Sequence, residues 1–290
     1  MPATTRPGSS TLPLPEATLQ ASSALVLRYH QVIMRLVETD TGGVGTRAAK
    51  GALFDALAEV AGALSAGRRV EIVDLLAQGE RSVDEVAGEI GQSMANASHH
   101  LRALARAGLV RSRREGTRIY YRLAGEEVEE IWSALRKVAA VDRDDLARLA
   151  SAYLGPVADL EVVGRAELLE RLRAGAVTVL DVRPVTEYRT GHIPGARSVP
   201  LDVLHSVLGE LPGDIDVVAY CRGPYCVFAP AAVRVLRGAG FGALQMADGF
   251  PEWRRAGLPV AVGDDPGVLP AQPTRARRPQ GGVRRQGTPR

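Results

Sequence analysis

Both cysteines of the 290-residue chain lie in one decapeptide, Val217-Val218-Ala219-Tyr220-Cys221-Arg222-Gly223-Pro224-Tyr225-Cys226. An apolar run of strand length ends at Cys221, Gly223-Pro224 turns the chain, and Val227, Val233 and Leu236 then recur with helical periodicity. The first thiol is therefore expected at a strand-to-helix corner. Backbone N–H groups converge in such a corner and a helix N-terminus adds partial positive charge, so an anion there, including a thiolate, is favoured. Arg222 is expected to push the same way, and a lowered thiol pKa makes a cysteine nucleophilic near neutral pH. Cys221 is thus the candidate nucleophile, with Arg222, Gly223, Pro224, Tyr225 and Cys226 as the loop that would hold its substrate. The plainer alternative is two small cysteines filling a core, but a Gly-Pro turn after a strand exposes what it carries.

The elements around this loop alternate helix and strand from 160 to 262: Arg165 to Arg173, Val177 to Val182, Leu201 to Leu211, Val217 to Tyr220, Val227 to Arg237 and Ala243 to Met246. That order predicts an α/β domain with a parallel sheet, helices on both faces, and a site at the carboxyl ends of the strands, where Cys221 falls. Three stretches carry a family resemblance. Leu180-Asp181-Val182-Arg183, Glu187-Tyr188 and Gly191-His192-Ile193-Pro194-Gly195-Ala196 form the first; Cys221 stands at the nucleophile position; Gly249-Phe250, Trp253, Gly257 and Pro259 form the last. Together they resemble a rhodanese domain. The resemblance implies that Cys221 takes a sulfane sulfur from thiosulfate, a polysulfide or a persulfide, holds it as a persulfide among loop amides, and passes it to a thiophilic acceptor. It implies mainly structural roles for Asp181, Arg183 and His192. In the usual six-residue loop the fourth residue is glycine and the last is basic; here glycine comes early at 223, Pro224 takes its place and Cys226 ends the loop. The anchor for an anionic donor is absent from its usual position, which Arg222 could compensate, and Cys226 is a second thiol able to resolve a sulfenate or persulfide into a bridge.

Upstream, Leu53, Phe54, Leu57, Val60, Ala61 and Leu64 give an apolar face to a helix from Arg47 to Leu64, and Arg68 to Ala77 continues with Val70, Ile72, Val73 and Leu76. Ser82-Val83-Asp84-Glu85 reads as a capping box opening a short helix to Ile90. After a Gly91-Gln92 turn, Ser93 is the expected cap of a helix through Ala107, so the segment has helix-turn-helix form. Ala97, Leu101 and Leu104 would point inward, leaving Ala95, Asn96, His99 and Arg102 outward, where Asn and Arg could read base edges. The following stretch reads as two alternating strands about Glu115-Gly116, with Ile119, Tyr121 and Leu123 facing the core. Arg111, Arg113, Arg114, Arg118 and Arg122 give that hairpin five positive charges against one acid, the composition of a wing that grips phosphates.

The run from Arg68 to Leu123, especially Ser98-His99-His100-Leu101-Arg102-Ala103-Leu104 and Ala107-Gly108-Leu109-Val110, resembles winged-helix repressors of the arsenic-responsive regulator (ArsR) family. The resemblance implies a homodimer on an inverted-repeat operator in double-stranded DNA, released by an inducer. It implies recognition roles for Ser93, Asn96, Ser98, His99 and Arg102, and phosphate contacts from Arg113, Arg114 and Arg118. Metal-sensing members carry cysteines near the helix before the reading helix, and Ser82 to Ile90 has none. No metal site is expected from the adjacent His99 and His100, whose side chains leave a helix about 100° apart, and no cofactor is implied.

The chain is therefore expected to be multidomain: a flexible extension over 1–45, a mostly α winged helix-turn-helix domain with an α+β wing over 46–125, a helical dimerisation or connector segment over 126–155, a rhodanese-like α/β domain over 160–262 and a disordered basic tail over 263–290. The net charge of +3 is local, since six arginines in the last twenty residues leave thirty basic against thirty-three acidic residues elsewhere. Two cysteines make no disulfide framework, no stretch approaches a membrane span and no signal peptide is evident, so a cytoplasmic protein with no membrane partner is expected. The favoured reading is a DNA-binding regulator, most simply a repressor, whose Cys221 and Cys226 respond to a small sulfur donor or oxidant. The alternatives are a sulfurtransferase with an appended DNA reader, and a thiol-based metalloid sensor, for which two ligands are few.

Overall fold

A computed structural model describes residues 45–142, 144–156 and 159–270. The extension up to residue 44 and the arginines of the tail beyond 270 lie outside the described residues. Compactness divides the chain in two, at Gly62. In the first unit the described helix is α1 (Arg47–Gly62), opened by Thr46, whose Oγ1 accepts from Ala49 N at 3.2 Å. It buries none of its residues, and Leu53, Phe54 and Leu57 are all more than half exposed.

The second unit runs from Ala63 onward and holds the DNA-reader segment and the rhodanese-like segment together. Its first elements are α2 (Gly67–Leu76), β1 (Arg81–Ser82), α3 (Val83–Glu89), α4 (Met94–Arg106), β2 (Val110–Glu115) and β3 (Arg118–Leu123). Local chemistry sets these boundaries. The Ser82–Glu85 capping box forms, with Ser82 Oγ accepting from Glu85 N and Ser82 N donating to Glu85 Oε2. Ser93 caps α4 by accepting from Asn96 N. Ala97, Leu101 and Leu104 are fully buried, so the predicted inner face of α4 is the inner face. The wing is an antiparallel hairpin with Glu115 opposite Arg118, and β1 pairs with the other edge of β3. Tyr121 and Leu123 are buried as expected, but Ile119 is 43% exposed. It sits near the hairpin tip, opposite Arg114.

Helices α5 (Glu126–Asp142) and α6 (Asp144–Leu154) follow. Ile131, Leu135, Val138 and Val141 on α5, and Leu149 and Tyr153 on α6, remain exposed.

The rhodanese-like half carries β4 (Val162–Val163), α7 (Arg165–Arg173), β5 (Val177–Asp181), α8 (Val185–Thr190), β6 (Arg197–Ser198), α9 (Leu204–Val207), β7 (Asp216–Tyr220), α10 (Phe228–Gly238), β8 (Ala243–Met246) and α11 (Phe250–Arg255). Its five strands are all parallel in the order β4-β8-β7-β5-β6. Strand β7 is central and buried from Val217 to Tyr220, as befits a parallel strand covered on both faces. Val217 and Ala219 pack with Leu180, Val233 and Leu236, whereas Val218 and Tyr220 pack with Val179, Phe250 and Trp253. The helix expected over 201–211 shrinks to the four residues of α9 and a 3-10 turn, Leu208–Glu210. The tail expected to be disordered from 263 has an ordered beginning: Gly263 N donates to Arg189 O, His192 Nε2 contacts Asp265 O, and Gly195 N donates to Pro266 O. This segment thus satisfies the Arg189 carbonyl at the end of α8 and two polar groups of the loop that follows it.

Candidate functional site: the thiol loop against the DNA reader

Cys221 ends β7 at the carboxyl edge of the sheet, and Phe250 N donates to its carbonyl at 3.1 Å, pinning the loop to the start of α11. Gly249 makes this approach possible. A Cβ there would lie 2.4 Å from Arg222 C and Gly223 N, so any side chain would push the loop off its seat. Within the loop Cys226 N donates to Gly223 O, and Gly223 has φ +153°, a conformation suited to glycine.

The thiols differ in environment, and against expectation. Cys221 is only 3% exposed, and burial, then its hydrogen bond to Cys226, holds its thiol well above the usual cysteine range. The amides of Gly223 and Ala229 favour charge there, as a strand-to-helix corner should, but desolvation outweighs them. Cys226 is half-buried. The hydrogen bond from Cys221 lowers its pKa despite burial, with the Phe228 and Arg222 amides adding to the effect.

Arg222 was expected to push the Cys221 pKa down and could have compensated for the missing anion anchor; its guanidinium instead lies between acidic side chains. Its guanidinium is shared by two carboxylates. Nε and Nη2 donate to Glu187 at 3.0 and 2.7 Å, and Nη1 and Nη2 donate to Glu89 at 2.9 and 3.1 Å. Glu187 lies in the first turn of α8 of the rhodanese-like half, while Glu89 is the last residue of α3, the helix before the DNA-reading helix. Two carboxylates on one guanidinium diminish the positive potential left for a further anion such as thiosulfate, although its charge still favours the Cys226 thiolate.

Other bonds join the same two halves. Gln78 Nε2 donates to the Arg222 carbonyl at 3.0 Å, and Arg81 Nη2 donates to the buried Glu187 at 2.8 Å. Arg136 of α5 pairs with Glu252 of α11, and Arg254 Nη2 reaches Glu129 and the Ala77 carbonyl. Beneath them, Asp181 accepts from Arg183 Nη2 and from Tyr220 OH, both at 2.6 Å, and His192 stacks on Tyr188. This buried network braces the signature loop rather than facing a substrate. One cleft at the interface, of about 460 Å³, lies where Cys226, Arg222 and Phe228 meet Asp74 of α2, Glu89 of α3 and Trp132 of α5.

On the DNA-reader side, Asn96, His99 and Arg102 are exposed along α4 and Ser98 is half-buried. Ser93 spends its hydroxyl on the helix cap, Asn96 Nδ2 donates to Gln92 Oε1, and Arg102 Nε donates to Ser98 O. Within the wing Arg114 Nε bonds Gly116 O. Arg113 is held by Glu80 at 2.5 Å and by Glu115, which diminishes it as a phosphate contact. Arg118 is exposed and makes no carboxylate pair among the described ion pairs. Among the described residues no group of three His, Cys, Asp or Glu could hold a metal ion, and no helix is long and apolar enough to cross a membrane.

Gln78, Arg81, Glu89, Asp74, Trp132 and Arg136 were not singled out in the sequence. Each looked like ordinary helix-surface or turn chemistry, and only the docking of the two halves gives them a role.

Comparison with known proteins matches residues 67–112 to the bacterial regulatory protein, arsR family, and residues 165–256 to the rhodanese-like domain. The chain is 51% identical over 214 residues to the HTH-type transcriptional regulator Rv0324 of Mycobacterium tuberculosis, covering 74% of this chain and 94% of that one. It is 33% identical over 86 residues to a sulfurtransferase of Allochromatium vinosum, covering 30% of this chain and 79% of that one. Among solved structures, the homodimeric winged helix-turn-helix DNA-binding domain of a possible ArsR-family regulator from Mycobacterium bovis is 46% identical, with a TM-score of 0.33, over 35% of this chain and 94% of that one.

Proposed function

Because this chain belongs to the arsR family of bacterial regulatory proteins, in a branch that carries a rhodanese-like domain, we propose that it binds operator DNA and releases or rearranges on it when Cys221 and Cys226 react with reactive sulfur or an oxidant. The observation that carries this reading is the Arg222 bridge. The residue next to Cys221 is fastened to Glu89, at the end of the helix that sets the position of α4. A bridge formed between the two thiols must re-form the four-residue turn between them, and Arg222 lies inside that turn. The contact to Glu89 is thus conditional on the redox state of the loop, and the DNA-competent arrangement is favoured when the thiols are free.

Asn96, Ser98, His99 and Arg102 would face base edges, Ser93 would hold the N-terminus of α4, and Arg114 and Arg118 would grip the backbone, Arg113 less so. The apolar faces left exposed on α1, α5 and α6 are the surfaces on which a second copy would form the dimer, which an inverted-repeat operator requires. Turnover as a sulfurtransferase is disfavoured by the burial of Cys221 and by the carboxylates that occupy Arg222. Operator affinity before and after polysulfide treatment, with thiosulfate turnover alongside, tests the reading in the parent and in Cys221→Ser. Treatment is expected to weaken DNA binding in the parent only. Unchanged affinity with brisk Cys221-dependent turnover would overturn it.

A further inference from the structure

We infer, on the basis that the loop responds to sulfur, that Cys226 rather than Cys221 is the thiol that takes up the electrophile, and that the interdomain cleft admits an uncharged organic polysulfide in preference to an anion such as thiosulfate. Geometry separates the thiols first. Cys226 lines the cleft of about 460 Å³, a volume suited to a small ligand, and Cys221 does not line it. Cys221 is almost wholly enclosed, and its Sγ lies 3.8 Å from the carbonyl oxygens of both Gly223 and Cys226. A donor entering from solvent therefore meets Cys226, already the more acidic of the two.

The charges of the cleft then select the donor. Glu71 is paired with Arg68 at 2.6 Å, and Arg222 is taken by Glu89 and Glu187. Asp74 accepts from Trp132 Nε1 at 2.7 Å, and burial raises its pKa. Among the described residues, no cation lining the cleft lacks a carboxylate partner, so a dianion would be desolvated without compensation. The walls between these groups, Val70, Leu75, Ile90 and Phe228, offer apolar surface to the alkyl groups of an organic trisulfide.

The chemistry balances with the two thiols alone. The Cys226 thiolate attacks a terminal sulfur of R–S–S–S–R. One S–S bond breaks, Cys226–S–S–R forms, and the persulfide anion R–S–S⁻ leaves with the electron pair. Cys221 then attacks the Cys226 sulfur, closing a Cys221–Cys226 disulfide and expelling R–S⁻, which takes the Cys221 proton. The two thiols are oxidised by two electrons, and the trisulfide is reduced to one thiol and one persulfide.

The test uses the full chain, intact mass spectrometry, and dimethyl trisulfide or thiosulfate at equal concentration. Cys221→Ser should react with the trisulfide at about the parent rate and stop at the Cys226–S–S–CH₃ adduct. Cys226→Ser should react at least roughly tenfold more slowly, and thiosulfate should modify neither thiol on that timescale. As a check that needs no variant, iodoacetamide should alkylate Cys226 of the parent faster than iodoacetate does. Parental rates in Cys226→Ser, equal reaction with thiosulfate, or preference for iodoacetate would each overturn the assignment. If the masses follow expectation while operator affinity stays unchanged, the cleft assignment stands and the regulatory reading falls. If affinity responds but Cys221 reacts first, the reverse holds.

Discussion

Replacing Glu187 by Gln removes the charge that two guanidinium groups share. Glu187 is completely buried, and its partners Arg81 and Arg222 expose only 8% and 14% of their side chains. Arg222 would retain Glu89, but Arg81 makes its other bond to the neutral Glu80 carbonyl and would be left uncompensated. Breaking a buried pair from one side costs about 3–5 kcal/mol, because the remaining charge stays out of water without its partner. With a urea dependence of ~3 kcal/mol/M, the midpoint should fall by roughly 1–2 M. The two tryptophans report from either side of the interface: Trp132 bonds Asp74 below α5, and Trp253 lies in the core under the sheet. Equilibrium unfolding followed by fluorescence, with each tryptophan replaced by Phe in turn, would show whether both halves lose stability together. Replacing Arg81 and Glu187 together by Met should recover most of the loss, since an apolar pair of similar volume leaves no orphan charge. A loss below about 1 kcal/mol in Glu187→Gln would mean the carboxylate is not the joint inferred from its contacts.

Gly249→Ala should disturb the thiol loop with little change elsewhere, since the new Cβ meets backbone rather than a flexible side chain; a cost of ~2 kcal/mol and altered iodoacetamide reactivity at Cys226 are expected, and parental reactivity would contradict the close approach. Arg118→Ala should reduce the salt slope of DNA binding by about 1, whereas Arg113→Ala should reduce it less because Glu80 and Glu115 already hold that guanidinium; equal slopes would place both on the phosphates. The Arg222 hydrogen bonds hold the Glu89 carboxyl below its ordinary value of 4.5. Its folded-state pKa is depressed, so its contribution is complete above the unfolded value and is lost as pH falls through the folded one. The stability difference between the parent and Glu89→Gln should accordingly be constant at neutral pH and vanish in acid; a difference that grew in acid would contradict the bridge.

Much of the architecture was legible from neighbours in sequence. The Ser82–Glu85 box, the Ser93 cap, the hairpin, whose turn falls at Gly116-Thr117, one residue beyond the expected Glu115-Gly116, and the parallel sheet ending in Cys221 all rest on hydrogen bonds or periodicities that span a few residues. Such features need only the local chain to choose a conformation. The core face of α4 was equally clear, because its period of 3.6 is written in Ala97, Leu101 and Leu104. Ile119 was misjudged by the same logic: strand alternation tells which face a residue takes, but not whether anything covers that face so near a turn.

The chemistry of the loop required the tertiary structure. Sequence alone placed two thiols and an arginine within six residues and located them at a strand-to-helix corner. The partners that decide their electrostatics lie far along the chain, Glu187 35 residues from Arg222, and Glu89 133 residues away. Gln78, which holds the Arg222 carbonyl, is 144 residues distant. An adjacent arginine lowers a thiol pKa less when carboxylates share its charge, and burial raises one by an amount set by what packs above it. Both quantities depend on the helices of the DNA reader lying against the rhodanese-like edge. That packing turned the arginine beside Cys221 from an expected activator into a strut, and gave the outward-facing thiol position to Cys226.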